Sequence, residues 1–274
     1  MTDPEQPAAE SSRLTELSQL IRAVRTRTPA RILVGRAGPC YRTATQLELR
    51  QDHAAAVDAV QAELNPDTDF GPEFVRRWQL FMVQTCAGSK AEYLLRPDLG
   101  RRLSPSARAE IVRQGVTGVD VQVAIGDGLS AAAVRAQVPH LLPLLEEQSR
   151  ARGWSFGPPF IVRYCRVGVL NEVGALLDPT VAVLLIGERP GLATAESLSA
   201  YLAYRPRPGH SDAQRNLISN IHARGIQPEA AAWRIVNLAA QMRQCGASGV
   251  AVKEEMPVSP EQRESPCRFL DKPL

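Results

Sequence analysis

The sequence predicts an α/β fold, a Rossmann-like parallel-sheet domain preceded by a smaller, mostly helical N-terminal domain. Three observations carry that expectation. Val181-Ala182-Val183-Leu184-Leu185-Ile186 is an unbroken apolar run, as a parallel strand buried on both faces requires. Two other β-rich segments, at 119–125 and 159–164, are separated by helix-forming sequence, the alternation expected of parallel strands with crossover helices. Before about residue 115 strong helix formers predominate.

The elements follow in order. Residues 1–12, rich in Pro, Glu, Ala and Ser, are expected to form a disordered arm. Leu14, Leu17, Leu20, Ile21 and Val24 recur at helical spacing and predict a short amphipathic helix. Packing onto the body is the simpler use of that stripe, with a partner or shell contact as the other. The glycines and proline of Gly35-Arg36-Ala37-Gly38-Pro39 mark a structured turn. A helix is expected over 45–64, stopped by Asn65-Pro66, and another from Ser104 as N-cap with Pro105 at its first position, stopping before Gly115. After the strand at 119–125, Gly126-Asp127-Gly128 reads as a tight turn and Ser130 as the cap of a helix over 131–137. Residues 195–201 read as helix, 228–244 as a long helix ended by Gly246, and 248–252 as a last strand. The expected organisation is therefore an arm (1–12), a helical domain (13–115), a Rossmann-like domain (116–253) and a flexible tail (254–274).

Composition excludes several function classes. Net charge is only +3, with Lys confined to Lys90, Lys253 and Lys272. The many arginines are interspersed with acids, and aromatics make up 5%, so no basic, aromatic-interleaved surface for nucleic acid emerges. A coding bias towards Arg is the simpler account. Cys40, Cys86, Cys165, Cys245 and Cys267 are dispersed without metal-ligand or disulfide spacing, which suits reduced thiols in the cytoplasm. No secretory signal and no apolar run long enough to span a bilayer is visible.

In open α/β sheets, ligands bind beyond the carboxyl ends of the strands. Three loops occupy that position: Gly126-Asp127-Gly128-Leu129-Ser130, Arg166-Val167-Gly168 and Gly187-Glu188-Arg189-Pro190-Gly191. Any one could be a structural turn, whereas three together favour a ligand crevice. The first also fits G-x-G-x-x-A, but Asp127 would set a carboxylate where a pyrophosphate must sit. His53, His140, His210 and His222 are scattered, His53 reads as a solvated helix residue, and no hydrolytic or metal-binding constellation appears. The kinked tract Arg205-Pro206-Arg207-Pro208-Gly209-His210 is either an exposed loop or a contact for an anionic ligand or partner. These features describe a binding module that supplies one wall of a site. A nucleotide-binding α/β enzyme and a non-catalytic adaptor remain the alternatives.

The same loops carry a family resemblance. Gly126–Ser130, Val162-Arg163-Tyr164-Cys165-Arg166-Val167, Leu185-Ile186-Gly187-Glu188-Arg189-Pro190-Gly191-Leu192 and Ile218-Ser219-Asn220-Ile221-His222 resemble the signature blocks of ethanolamine ammonia-lyase small subunits. So do Gly35–Pro39 and Leu95-Arg96-Pro97-Asp98-Leu99-Gly100-Arg101-Arg102-Leu103 further upstream, and the blocks keep their order from about residue 15 to 252. The resemblance implies a subunit of an adenosylcobalamin-dependent radical lyase that converts ethanolamine to acetaldehyde and ammonia. It further implies a TIM-barrel large subunit holding the substrate, and assembly as a trimer of dimers of heterodimers. Cobalamin would keep its own base on cobalt, and the chain has no D-x-H-x-x-G motif to replace it. By the same resemblance, no residue of this chain is catalytic or ligates metal, and Val167, Glu188 and Leu217 are the cofactor-contacting positions. Leu217 stands where relatives carry Cys, a change between small apolar packers. The short leader favours a free cytoplasmic enzyme over one housed in a microcompartment.

Overall fold

The computed structural model describes residues 6–28, 32–191 and 194–254. Helix α1 (Gln6–Arg25) begins inside the stretch expected as an arm. Its opening Ala8-Ala9-Glu10 favours helix, and Pro7 falls in the first turn, where its missing N–H is tolerated. Within the expected stripe Leu17 and Leu20 stay exposed, while Ile21 and Val24 are half-buried. A hairpin of β1 (Arg36–Ala37) and β2 (Cys40–Tyr41) follows, turning at Gly38 with φ +60°.

Helices α2 (Thr43–Gln61), α3 (Pro66–Asp69) and α4 (Pro72–Trp78) lead to β3 (Phe81–Gln84), then α5 (Lys90–Leu95) and α6 (Pro105–Gln114). Asn65, Ser89 and Ser104 each accept a hydrogen bond from a first-turn N–H, the last as the sequence predicts. The second half runs β4 (Val121–Asp127), α7 (Ala131–Ala151), β5 (Phe160–Arg163), α8 (Leu170–Leu177), β6 (Val181–Gly187), β7 (Leu198–Tyr204), β8 (Asn216–Ile221) and α9 (Pro228–Cys245). Helix α7 continues well past the expected end, through Pro139 and Pro143. Each proline costs about 3 kcal/mol in a helix interior. Burial of Val134, Val138, Leu141, Leu142 and Leu145, at about 1.5–3 kcal/mol each, outweighs both.

The main sheet has six strands in the order β3-β5-β4-β6-β7-β8. The first four run parallel, while β7 and β8 are antiparallel additions, so the sheet is mixed rather than wholly parallel. Two expectations are corrected here. Residues 195–201, read as helix from their Ala, Glu and Leu content, contain the start of β7. There Leu198, Ala200 and Leu202 alternate inward, and pairing along the whole of β6 overrides local propensity. The half expected to be helical contributes β3, whose pairing with β5 carries the sheet across the expected boundary near residue 115. A third correction is small: 248–252 holds a 3-10 turn (Gly249–Ala251), not a strand. The expected tail beyond Glu254 lies outside the described residues.

Helices α7 and α9 cover one face of the sheet over Val121, Val123, Ile125, Val183 and Leu185. Helices α6 and α8 cover the other over Ala124, Val162, Ala182, Leu184 and Ile186. On that second face the cover extends past β6 to Ala203 and part of Tyr201, and the rest of the β7–β8 ribbon projects beyond it. Tyr201, Leu217 and Ser219 line open space there.

Candidate functional site

The carboxyl ends of β4, β5 and β6 are drawn together by close backbone approaches. Ser130 caps α7 by accepting from Ala133 N at 3.1 Å, and its hydroxyl donates to the Ala195 carbonyl at 2.5 Å. Gly187 lies so near the Ser130 carbonyl that any Cβ would collide with it, which is why β6 ends on glycine. Beneath the loops, Lys90 Nζ donates to the carbonyls of Gly128 at 2.7 Å and Ala62 at 3.2 Å. It stands 3.7 Å from Asp127 Oδ1, while Asp127 Oδ2 accepts from Leu64 N at 3.1 Å. Burial pushes the Asp127 carboxyl up and the Lys90 ammonium down, each opposed by the partner's charge.

Above these loops lies an open crevice of about 340 Å³. Val167 enters from the loop after β5, Glu188 from the end of β6 and Leu217 from β8, so the three sequence-derived positions meet in one place. Val167 is half-buried, whereas Leu217 is 46% exposed, a large apolar side chain left open to the crevice. Glu188 Oε1 accepts from the Ser199 hydroxyl at 2.8 Å and from Asn220 N at 2.7 Å. These bonds fix the carboxylate against both β7 and β8, and both are made through Oε1.

Several lining residues escaped the sequence reading. Tyr93, fully buried, donates to the Cys165 carbonyl at 3.0 Å, and the Arg166 guanidinium lies over its ring at 4.4 Å. Burial raises the Tyr93 phenol well above its usual value, so it remains a neutral donor. Nothing in the spacing around Tyr93 set it apart. Ser199 and Tyr201 had a readable signal, the period-two alternation in β7, masked by the helical reading of 195–201, while Ser219 lies in the Ile218–His222 block named above.

The glycine loop after β4 does not serve as a phosphate cradle. Gly126 and Gly128 are packed against the Ile186 side chain, and Asp127 is fully buried with its carboxylate turned to Lys90 and Leu64. His53 is exposed on α2, as expected. Among the described residues there is no group of acids, histidines or cysteines placed to hold a metal ion, and Cys40, Cys86, Cys165 and Cys245 are free thiols. No described helix is long and apolar enough to cross a membrane.

The family model for the ethanolamine ammonia-lyase light chain (EutC) matches residues 18–253. The chain belongs to the ethanolamine ammonia-lyase light-chain family. Curated relatives agree. The ethanolamine ammonia-lyase small subunit of Clostridium perfringens is 43% identical over 230 residues, covering 84% of this chain and 76% of the relative. That of Clostridioides difficile is 40% identical over 230 residues, with the same shares covered. That of Clostridium acetobutylicum is 39% identical over 238 residues, covering 87% of this chain and 94% of the relative. The light-chain match spans the hairpin, every strand of the six-stranded sheet and all the crevice residues named above.

Proposed function

We propose that this chain is the small subunit of an adenosylcobalamin-dependent ethanolamine ammonia-lyase and forms one wall of the cofactor site against a TIM-barrel large subunit. One observation carries the reading: Val167 after β5, Glu188 after β6 and Leu217 on β8 line a single crevice. The lining fits such a group. Val167, Ile186 and Leu217 offer apolar contact to a corrin or its base, and Glu188 offers a fixed acceptor to amide or hydroxyl donors. A volume of about 340 Å³ lies near the lower end of pockets that enclose a drug-sized ligand, about 300–1,000 Å³. A corrinoid is far larger, so this crevice can cover only one side of it, and the remainder falls to a partner.

When bound, the cofactor would supply the radical that initiates the reaction. This chain's residues would seat and orient it and keep water from its covered side. The carboxylate in the crevice is tied to the scaffold by Ser199 and Asn220, as a seat for a ligand rather than a free acid or base, so ethanolamine would be held by the large subunit and this chain alone would be inactive. Assembly would follow the family's trimer of dimers of heterodimers.

The test is a cobalamin titration of each subunit separately and of the two together, with ammonia release from ethanolamine as the second readout. Tight binding and turnover are expected only for the pair, because assembly and cofactor binding are linked reciprocally. Equal affinity of the large subunit with and without this chain, or turnover by this chain alone, refutes the proposal.

A further inference from the structure

A second cleft, of about 550 Å³, opens on the same side of the sheet beside the crevice. Side chains alternate along a strand, so Arg215, one residue before β8, continues the row of Leu217 and Ser219. The Arg215 side chain is only 5% exposed, yet its Nε has no partner. Burial lowers its proton affinity, opposed by Asp212, and the nearby Arg101 charge lowers it further. His210 Nδ1, buried in the same wall, also lacks a partner.

The charges do not balance. Four arginines, Arg101, Arg102, Arg108 and Arg215, face two carboxylates, Glu172 and Asp212. Glu172 is taken by Arg108 at 2.7 Å and by Leu103 N at 2.8 Å, and Asp212 by Arg215. The lining holds no further acid for Arg101 and Arg102. Arg101 is also held in place, because its aliphatic stem packs on Gly168, where a Cβ would come within 2.9 Å of it. Asn171 fixes the opposite wall, donating to the His210 carbonyl at 2.7 Å and accepting from Arg215 at 2.9 Å.

We propose that this cleft is an oxyanion site that takes a phosphate ester between Arg101 and Arg215. The Arg101 guanidinium fork suits the tetrahedral oxygens of phosphate. Arg215, whose terminal nitrogens are held by Asp212 and Asn171, offers its unpartnered Nε–H, and His210 adds an unpartnered Nδ1 that donates in the matching tautomer. Two sources carry that chemistry: a free phosphate monoester, or the phosphodiester in the nucleotide tail of a corrinoid seated in the adjoining crevice. Only the second rests on the cobalamin reading.

The probe is inorganic phosphate, titrated calorimetrically into the full chain in chloride-poor buffer, for wild type, Arg101→Gln and Arg101→Lys. Arg101 is exposed, so the variants should keep the wild-type melting temperature. Saturable binding is expected for wild type, about tenfold or more weaker in Arg101→Gln and partly recovered in Arg101→Lys. No saturable binding by wild type, or equal binding by Arg101→Gln, overturns the site. The source is read on the complex with the large subunit, comparing cobalamin with cobinamide, which lacks the nucleotide. A larger effect of Arg101→Gln on cobalamin assigns the corrinoid phosphodiester, and equal effects assign a free phosphate ester. Failure of both corrinoids to bind would sink the cobalamin reading while leaving the phosphate titration to decide this cleft.

Discussion

Replacing Glu188 with Gln separates its scaffolding from its ligand-facing role. Gln can keep an oxygen where Oε1 now accepts from the Ser199 hydroxyl and Asn220 N. Those two bonds fall from charge-assisted to neutral strength, a difference of about 1 kcal/mol each. The outward oxygen, by contrast, becomes an NH₂, so an acceptor turns into a donor facing whatever donors the ligand presents. Losing a hydrogen bond to a charged group costs about 1–3 kcal/mol, which is roughly a 5- to 150-fold loss of affinity. Glu188→Ala would forfeit both aspects and leave Asn220 N without its acceptor. The assay is cobalamin affinity of the reconstituted complex alongside the melting temperature of each variant. Affinity should fall in both variants, with the melting temperature lowered chiefly in Glu188→Ala. Unchanged affinity in Glu188→Gln, with a lowered melting temperature, would refute the argument and leave Glu188 as a brace between β6 and β8.

Other perturbations test the frame around the crevice. Lys90→Met strands the Asp127 carboxylate in the interior and should cost about 3–5 kcal/mol, lowering the melting temperature by roughly 6–20 °C. Adding Asp127→Asn should restore part of that loss, and no recovery would mean that the Lys90 carbonyl contacts matter more than the charge. Gly187→Ala drives a methyl group into the Ser130 carbonyl and should cost about 1–3 kcal/mol, measured by denaturant unfolding, and weaken cofactor binding by parting β6 from α7. His222 is buried, its Nδ1 accepting from Arg224 N and its Nε2 bonded to Asn220 Oδ1, and burial lowers its pKa below the usual 6.5. The unfolded chain therefore takes up a proton first, so the stability His222 contributes is complete above about pH 6.5 and is lost as the pH falls towards its depressed folded value. Urea midpoints at pH 7.5 and 5.5 should drop more for wild type than for His222→Gln, and parallel drops would remove His222 as the cause.

The strands at β4, β5 and β6 were legible because full burial on two faces leaves an apolar run that no other element explains. The N-caps at Ser104 and Ser130 were legible for a similar reason, since the local chemistry has few other uses. β3 was not, because four residues at the sheet edge carry too little pattern to stand out among helices. β7 was hidden by its own composition, Leu-Ser-Ala-Tyr-Leu-Ala-Tyr, in which helix formers sit at strand positions and only pairing with β6 decides the outcome. Within the site, Val167, Glu188 and Leu217 came from a resemblance rather than from spacing, and what the fold adds is their meeting. The Lys90–Asp127 couple was invisible in sequence. The two residues lie far apart in the chain, and only the packing of the start of α5 beneath the β4 loop makes them neighbours.

That buried couple, with the edge strand contributed by residues 81–84, bears on how a gene of this kind can be cut and rejoined. The compositional seam near residue 115 looks like a place for fission or recombination, but a fragment starting there would lack β3 and carry Asp127 with no counter-charge. Exchange of leader segments is instead compatible with the interior only upstream of α2, before the chain reaches the Ala62 carbonyl that receives Lys90 and the Leu64 amide that meets Asp127. Inherited variation in length should collect in that leader, and the remainder should pass between lineages as one indivisible block.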